Sequence, residues 1–236
     1  KSAGYAPCQR NHVFTMSEAI ILPSLLSAPF FNLEQAILPL ENAGMRVLHY
    51  DVMDGHFVPN LTFGPVVIHR LAEQIQSQFD VHLMVTNPDV QIEWFDLPSV
   101  RSITVHYESS HGNILRDLNN IRSRGKMAGV TINPPTSVHA IDHVLELADL
   151  VLVMTVYPGL AAQKLLKETL PKIEYFVKKR EIMGYTYKIQ VDGGVNADTL
   201  PWVRNAGADE IVSGSAIFLA QDPAATYQQF RNVVNT

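Results

Sequence analysis

The feature that most constrains this chain is a rhythm. A short apolar run is followed by a longer segment with helical punctuation, and the pair recurs eight times. The apolar runs fall at 19–22, 47–51, 79–84, 102–106, 126–132, 149–155, 187–192 and 210–213. Most are apolar almost throughout rather than at every second position, as expected of parallel strands covered on both faces. Between them the spacing predicts helices. Asn32 caps a helix over 32–42 that stops at Gly44. Further helices cover 65–76, begin at Asn87-Pro88, run over 113–124 up to Gly125, and cover 137–147, 164–180 and 196–206, with a last one at 223–234. Eight strand–helix units in 236 residues predict a single (β/α)8 barrel of the α/β class, a fold of roughly 250 residues. An open, doubly wound sheet is the structural alternative.

The polar residues within this pattern gather at the ends of the strands: Ser24, Asp51, His82, His106, Thr131, Thr155, Asp192 and Gly214. In a barrel, strand C-termini converge on one face, where active sites are built. His49 and Asp51 lie two apart and so share one face of their strand. They make half of a metal site, and His82 and Asp192 are the candidates for the other half. A single His at a strand end is more often a packing residue. Two His and two Asp at three strand ends outweigh that reading. Such a set suits Zn2+ and tolerates Fe2+, Mn2+ or Co2+. A metal beside two carboxylates suits removal of a proton next to a carbonyl. Gly193-Gly194 and Ser213-Gly214-Ser215 each place backbone N–H groups just ahead of a predicted helix, an arrangement that receives phosphate or simply makes a tight turn.

Several stretches carry a specific resemblance. They are His49-Tyr50-Asp51-Val52-Met53-Asp54-Gly55-His56-Phe57-Val58-Pro59-Asn60, His82-Leu83-Met84-Val85, Val153-Met154-Thr155-Val156, Val191-Asp192-Gly193-Gly194 and Ser213-Gly214-Ser215-Ala216-Ile217-Phe218. In order and spacing this set resembles the ribulose-phosphate 3-epimerase family, over about residues 20–218. The resemblance implies a barrel of the ribulose-phosphate-binding type. It implies that His49, Asp51, His82 and Asp192 ligate a divalent metal, Zn2+ first. It implies that Asp51 and Asp192 exchange protons at C3 of a 2-keto sugar phosphate through an enediolate, interconverting ribulose 5-phosphate and xylulose 5-phosphate. Met53, Met84 and Met154 would wall the reacting carbons. Ser24 and Gly159 would contact substrate, and Gly193, Gly194, Gly214 and Ser215 would meet its phosphate. Homo-oligomers are the habit of such barrels.

The chain departs from the family in places. After Met154-Thr155-Val156 the family usually reads Asn-Pro-Gly-Phe-Gly-Gly-Gln, whereas this chain has Tyr157-Pro158-Gly159-Leu160-Ala161-Ala162-Gln163. Ala161 and Ala162 replace the Gly pair without loss only where φ is negative, and Tyr157 is bulky enough to narrow a sugar pocket. Ser27-Ala28-Pro29 stands where Ser-Ala-Asp is common, and 96–100 replaces a usual Ala-Gly-Ala turn. These changes motivate a related substrate such as allulose 6-phosphate, or a non-catalytic sugar-phosphate-binding barrel. A decarboxylase of similar architecture would need Asp-x-Lys-x-x-Asp, and Met53 occupies the Lys position.

Bulk properties narrow the class. The net charge of −5 gives no nucleic-acid footprint. No apolar run reaches the roughly 18 residues of a membrane span. A single cysteine, Cys8, excludes an internal disulfide framework and fits a reducing, cytoplasmic setting. Residues 1–15 show no periodicity and read as a leader or disordered tail, leaving 16–236 as one barrel domain.

Overall fold

The computed structural model describes residues 18–236, so the tail expected at 1–15 lies outside the described residues. The eight expected strands are present: β1 (Ile20–Pro23), β2 (Val47–Met53), β3 (Gln78–Met84), β4 (Val100–His106), β5 (Met127–Ile132), β6 (Leu150–Met154), β7 (Lys188–Asp192) and β8 (Glu210–Ser213). All pairings between them are parallel, in the order β1-β8-β7-β6-β5-β4-β3-β2. The two ends of that series meet through one parallel bridge, Ser24 to His49. The sheet is therefore a barrel and not an open, doubly wound sheet.

Helices cover the outside: α1 (Leu33–Asn42), α2 (Pro65–Ala72), α3 (Pro88–Gln91), α4 (Ile114–Ser123), α5 (Leu170–Met183), α6 (Leu200–Asn205), α7 (Ser215–Phe218) and α8 (Pro223–Val234). Two begin later than the periodicity predicts. The segment expected to open a helix at 164 is extended instead, with the Leu166 N–H donating to Thr155 O at 2.8 Å. Helix α5 starts only where Pro171 fits the first turn. Asn196 does not begin a helix either. Its side-chain oxygen accepts from the N–H groups of Asp198 and Thr199, a local turn that delays α6. The expected helix at 137–147 is a 3-10 segment, Val138–Val144, capped by the Ser137 hydroxyl. Asn32 makes no side-chain cap to α1.

Alternation along the strands sorts the side chains. Tyr50, on the outer face of β2, is fully buried under the helices, its ring 5.0 Å from Phe63, 5.9 Å from Phe79 and 6.3 Å from Phe95. Each such aromatic contributes on the order of 2–3 kcal/mol by burial. The inner face is different. β2 and β3 pair so that His49 lies beside Asp80, Asp51 beside His82 and Met53 beside Met84. Two residues along a strand rise about 6.6 Å. The interior on this side is thus built in three storeys: an acid with an imidazole, an imidazole with an acid, then two thioethers at the rim.

Candidate metal centre and active site

His49, Asp51, His82 and Asp192 meet as the sequence predicts. One potential ligand atom from each lies within 4.8 Å of all the others. His49 Nε2 is 3.2 Å from Asp51 Oδ1 and 3.9 Å from Asp192 Oδ2. His82 presents its other nitrogen, with Nδ1 3.3 Å from Asp51 Oδ1 and 3.8 Å from Asp192 Oδ2. Both imidazoles are completely buried.

The electrostatics of this cluster are set by burial and by its own opposed charges. Burial alone would lower His49, but the carboxylates of Asp51 and Asp80 outweigh it and hold its pKa well above the ordinary value. Burial would raise Asp51, but His49 and His82 pull it well below the carboxylate range. For Asp192 the compensation falls short. Burial and repulsion from Asp51 push it up to about 7, against the opposing pull of His49. His82 is lowered by burial and by His49. His49 Nε2 is buried and has no hydrogen-bond partner. An orphaned imidazole nitrogen aimed at two carboxylates is the donor set of a divalent metal, so the residues present fit one.

Two buried chains stand behind the histidines, and pattern reading did not assign either of them. Behind His49, Nδ1 faces Asp80 Oδ2 at 2.8 Å. Asp80 in turn accepts from Ser102 at 2.5 Å and from Gln190 at 2.7 Å. Gln190 also donates to Glu210 at 3.1 Å, and Arg101 donates to Glu210 at 2.6 Å. Burial would raise Asp80, yet its bond to His49 and the Arg101 charge bring it down to about 2. Behind His82, Nε2 lies 2.9 Å from His106 Nε2, with the two ring planes within 20° of each other. His106 Nδ1 then faces Glu108 Oε2 at 3.4 Å. Spacing held the signal for both chains. Asp80 is two residues before His82, and Glu108 is two after His106.

A cavity of about 230 Å³ lies above the cluster, and Asp51 and Asp192 line its floor. Met53, Met84 and Met154 form its apolar wall, as expected. Met53 and Met84 pack with Val58. Ser24 does two things. Its hydroxyl donates to Asp51 Oδ2 at 2.6 Å, and its oxygen accepts from the Leu26 N–H. Gly159, Gly193, Gly194, Gly214 and Ser215 line the same cavity. Gly194 cannot be another residue: its φ is +68°, and a Cβ there would sit 2.3 Å from Leu165 N. The Thr155 hydroxyl pins this turn by donating to the carbonyls of Asp192 and Gly193. Lys164, read from sequence as the start of a helix, also lines the cavity and is its one cation among the described lining residues.

The loop after β6 differs from expectation. Tyr157 points outward, 58% exposed, and does not line the cavity, so it does not narrow it. Leu160, Ala161 and Ala162 do line it. Ala162 takes a left-handed φ of +58°, which costs an L-residue about 1–2 kcal/mol. The loop thus keeps a backbone shape that glycine would adopt without strain. Asn60 ties it to the loop after β2 by donating to Gly159 O at 2.9 Å.

Asp54 holds the opposite rim. One carboxylate oxygen accepts from the N–H groups of His56 and Phe57, both at 2.9 Å, and the other from Thr86 N–H at 2.8 Å. His56 is exposed, and its ring bonds only to the Asp54 carbonyl, so it anchors this loop. Burial acts to raise Asp54, but the three backbone donors lower it overall. A carboxylate whose folded pKa is depressed stabilises the fold above its unfolded value, about 3.9, and loses that effect as pH falls through the folded value. Asp54→Asn is expected to lower the melting temperature at pH 7 by several degrees. The gap to the parent should shrink toward pH 3. A gap that is unchanged between pH 7 and pH 3, by thermal denaturation, would refute the charge-assisted role.

Comparison with known proteins shows the family. Residues 20–218 match the model of the ribulose-phosphate 3 epimerase family. The chain is 47% identical over 199 residues to the ribulose-phosphate 3-epimerase of Treponema pallidum, covering 84% of this chain and 90% of that protein. It is 40% identical over 212 residues to the Bacillus subtilis enzyme of the same name, covering 89% and 97%. Among solved structures, 3-hexulose-6-phosphate synthase from Salmonella typhimurium superposes with a TM-score of 0.67 at 19% identity, over 91% of this chain and 98% of that one. Orotidine 5'-phosphate decarboxylase from Pyrococcus horikoshii gives 0.66 at 14%, over 92% and 100%. At those identities the two structures speak for the barrel alone. With the family model spanning the whole barrel and close relatives sharing one name, the chain belongs to the ribulose-phosphate 3-epimerase family.

Proposed function

We propose that this chain is a metal-dependent epimerase that inverts C3 of a 2-keto sugar phosphate, with D-ribulose 5-phosphate and D-xylulose 5-phosphate as the pair. The observation that carries the reading is the floor of the cavity: two carboxylates from strands far apart in the barrel, each also facing both histidines. Inversion through a planar carbon needs one group to take a proton from one face and another to return a proton to the opposite face. Asp51 is held ionised by His49 and His82, and the Ser24 hydroxyl fixes its second oxygen. Burial and the Asp51 charge raise Asp192, which makes it the better proton acceptor of the two. An acid and a base with divided tendencies are what a two-base exchange requires. His49, Asp51, His82 and Asp192 would hold the metal, for which Zn2+ suits the donor set best and Fe2+, Mn2+ or Co2+ also serve. When bound, it would polarise the keto oxygen and stabilise the charge that develops there. The three methionines keep water from the reacting carbons, and Ser24 and Gly159 bound the sugar. The turns at Gly193-Gly194 and Gly214-Ser215, with Lys164 nearby, suit the phosphate.

We further take 16–236 as one catalytic domain working in the cytoplasm, consistent with a lone cysteine in 236 residues. No helix among the described residues is long and apolar enough to cross a membrane. We take the active form to be a homo-oligomer. Phe31 and Leu61 are left exposed on the segments after β1 and β2, and Phe30 packs on Phe63 beside them.

Ala161 and Ala162 favour a second substrate, allulose 6-phosphate, because they alter the cavity wall. The deciding experiment follows exchange of the C3 proton into deuterated water with metal-analysed protein. Rapid exchange on ribulose 5-phosphate is expected. Exchange on allulose 6-phosphate alone would replace the substrate, and no exchange on either, with metal present, would leave a sugar-phosphate-binding barrel without catalysis.

A further inference from the structure

The two histidines of the candidate centre offer different nitrogens, His49 its Nε2 and His82 its Nδ1. An imidazole can ligate only through a nitrogen that carries no proton, so each ring must keep its proton on the far side. For His49, Asp80 sees to this directly. The far nitrogen of His82 meets no carboxylate. It meets a second imidazole, and two imidazole nitrogens 2.9 Å apart share one proton that either can own.

We propose that Glu108 acts through His106 as a positioning pair that sets the tautomer of His82 and so keeps its Nδ1 free for the metal. Glu108 can only accept from His106. One of its oxygens already accepts from the Asn133 N–H at 2.8 Å and from the Thr136 hydroxyl. The other faces His106 Nδ1. His106 therefore carries its proton on Nδ1, which leaves its Nε2 as an acceptor. His82 must then donate from Nε2, and its Nδ1 lone pair points at Asp51, Asp192 and the centre. The opposite arrangement would set a bare His106 nitrogen against a carboxylate and place a proton on His82 Nδ1, where the metal belongs. Phe57 packs on the His106 ring at 4.7 Å between centroids and keeps it parallel to His82. Neither Glu108 nor His106 lines the cavity, so neither touches substrate.

This inference rests on the metal reading above, and its test separates the two. Glu108→Gln keeps size and can keep its carbonyl oxygen on Asn133 and Thr136. Its NH2 would then face His106 Nδ1 as a donor and reverse both imidazoles in turn. Zn2+-loaded full-length protein would be competed against a chelator, and nitrogen NMR of the metal-free protein would read the protonated nitrogen of each histidine. The parent should show His82 protonated at Nε2 and His106 at Nδ1. Glu108→Gln should bind Zn2+ about 10–100-fold more weakly, with the melting temperature little changed. Glu108→Asp, which keeps the carboxylate, should recover part of the affinity. Equal Zn2+ affinity in Glu108→Gln overturns the inference and leaves the metal centre standing. A parent that holds none of Zn2+, Fe2+, Mn2+ or Co2+ against the chelator overturns the metal reading itself. If Glu108→Gln does not fold, the parent spectrum decides alone, because a proton on His106 Nε2 refutes the pairing.

Discussion

Asp192→Asn is expected to cut turnover by at least roughly 10³-fold and leave the fold unharmed. Asn has the shape of Asp but neither accepts a proton at neutral pH nor returns one. The variant removes one of the two faces of attack and leaves Asp51 with its Ser24 partner. Stability should not suffer. Asp192 is strained electrostatically by burial and by Asp51, and neutralising it relieves that repulsion. Its 17% exposed side chain lies at the cavity floor rather than in the packed core. Exchange of the substrate C3 proton, metal content and melting temperature should be measured on one preparation. An Asp192→Asn protein that exchanges at the parental rate with full metal content would sink the two-base mechanism.

The second large effect is expected at Gly194. A Cβ there would meet backbone on two sides, 2.3 Å from Leu165 N and 2.9 Å from Gln163 O, at a φ of +68°. Backbone cannot swing aside as a side-chain tip can. Left-handed strain and overpacking together cost about 2–5 kcal/mol, or several degrees to well over ten in melting temperature for a chain of this size. The extended 164–166 segment that packs on this turn would be displaced, and with it Lys164 and the far end of the cavity. A shift of about 1 Å costs on the order of 10²-fold in catalytic efficiency. For Gly194→Ala the loss should fall mainly on KM for the sugar phosphate, with most of the metal retained because three of the four candidate ligands, His49, Asp51 and His82, lie on other strands and only Asp192 adjoins the turn. A variant with parental KM would remove the phosphate role assigned to this turn.

The architecture was legible because eight apolar runs each end in a polar residue, a pattern that parallel strands entering one rim produce. Period-two alternation placed His49 with Asp51. The same rule applied to β3 pairs Asp80 with His82, yet Asp80 stood inside an apolar run and was passed over. His106 was noticed as a strand-end oddity, but only the fold brings it against His82, two strands from Asp51. What failed was mostly the onset of helices. The apolar residues 165 and 166 continue the helical spacing of α5, and nothing local announces that they are instead tied to Thr155. At Asn196, a side chain that can cap a helix forms a separate turn first. Tyr157 turns outward although its bulk suggests a narrowed pocket, because size in a sequence says nothing of direction. The sign of φ at Ala162 was not legible either, since the tertiary packing of the loop overrides the residue's own preference.

One joint in the barrel differs from the rest. Seven junctions between neighbouring strands are ladders, whereas β1 and β2 meet at the lone Ser24–His49 bridge. A hoop yields first at its thinnest weld, and this weld lies level with the candidate centre. The Ser24 hydroxyl on Asp51 is a second stitch across the same gap. The side chains that face the cavity from either side of this joint, Ser24 and Asp51, are thus also the ones that hold the hoop together where its backbone holds it least.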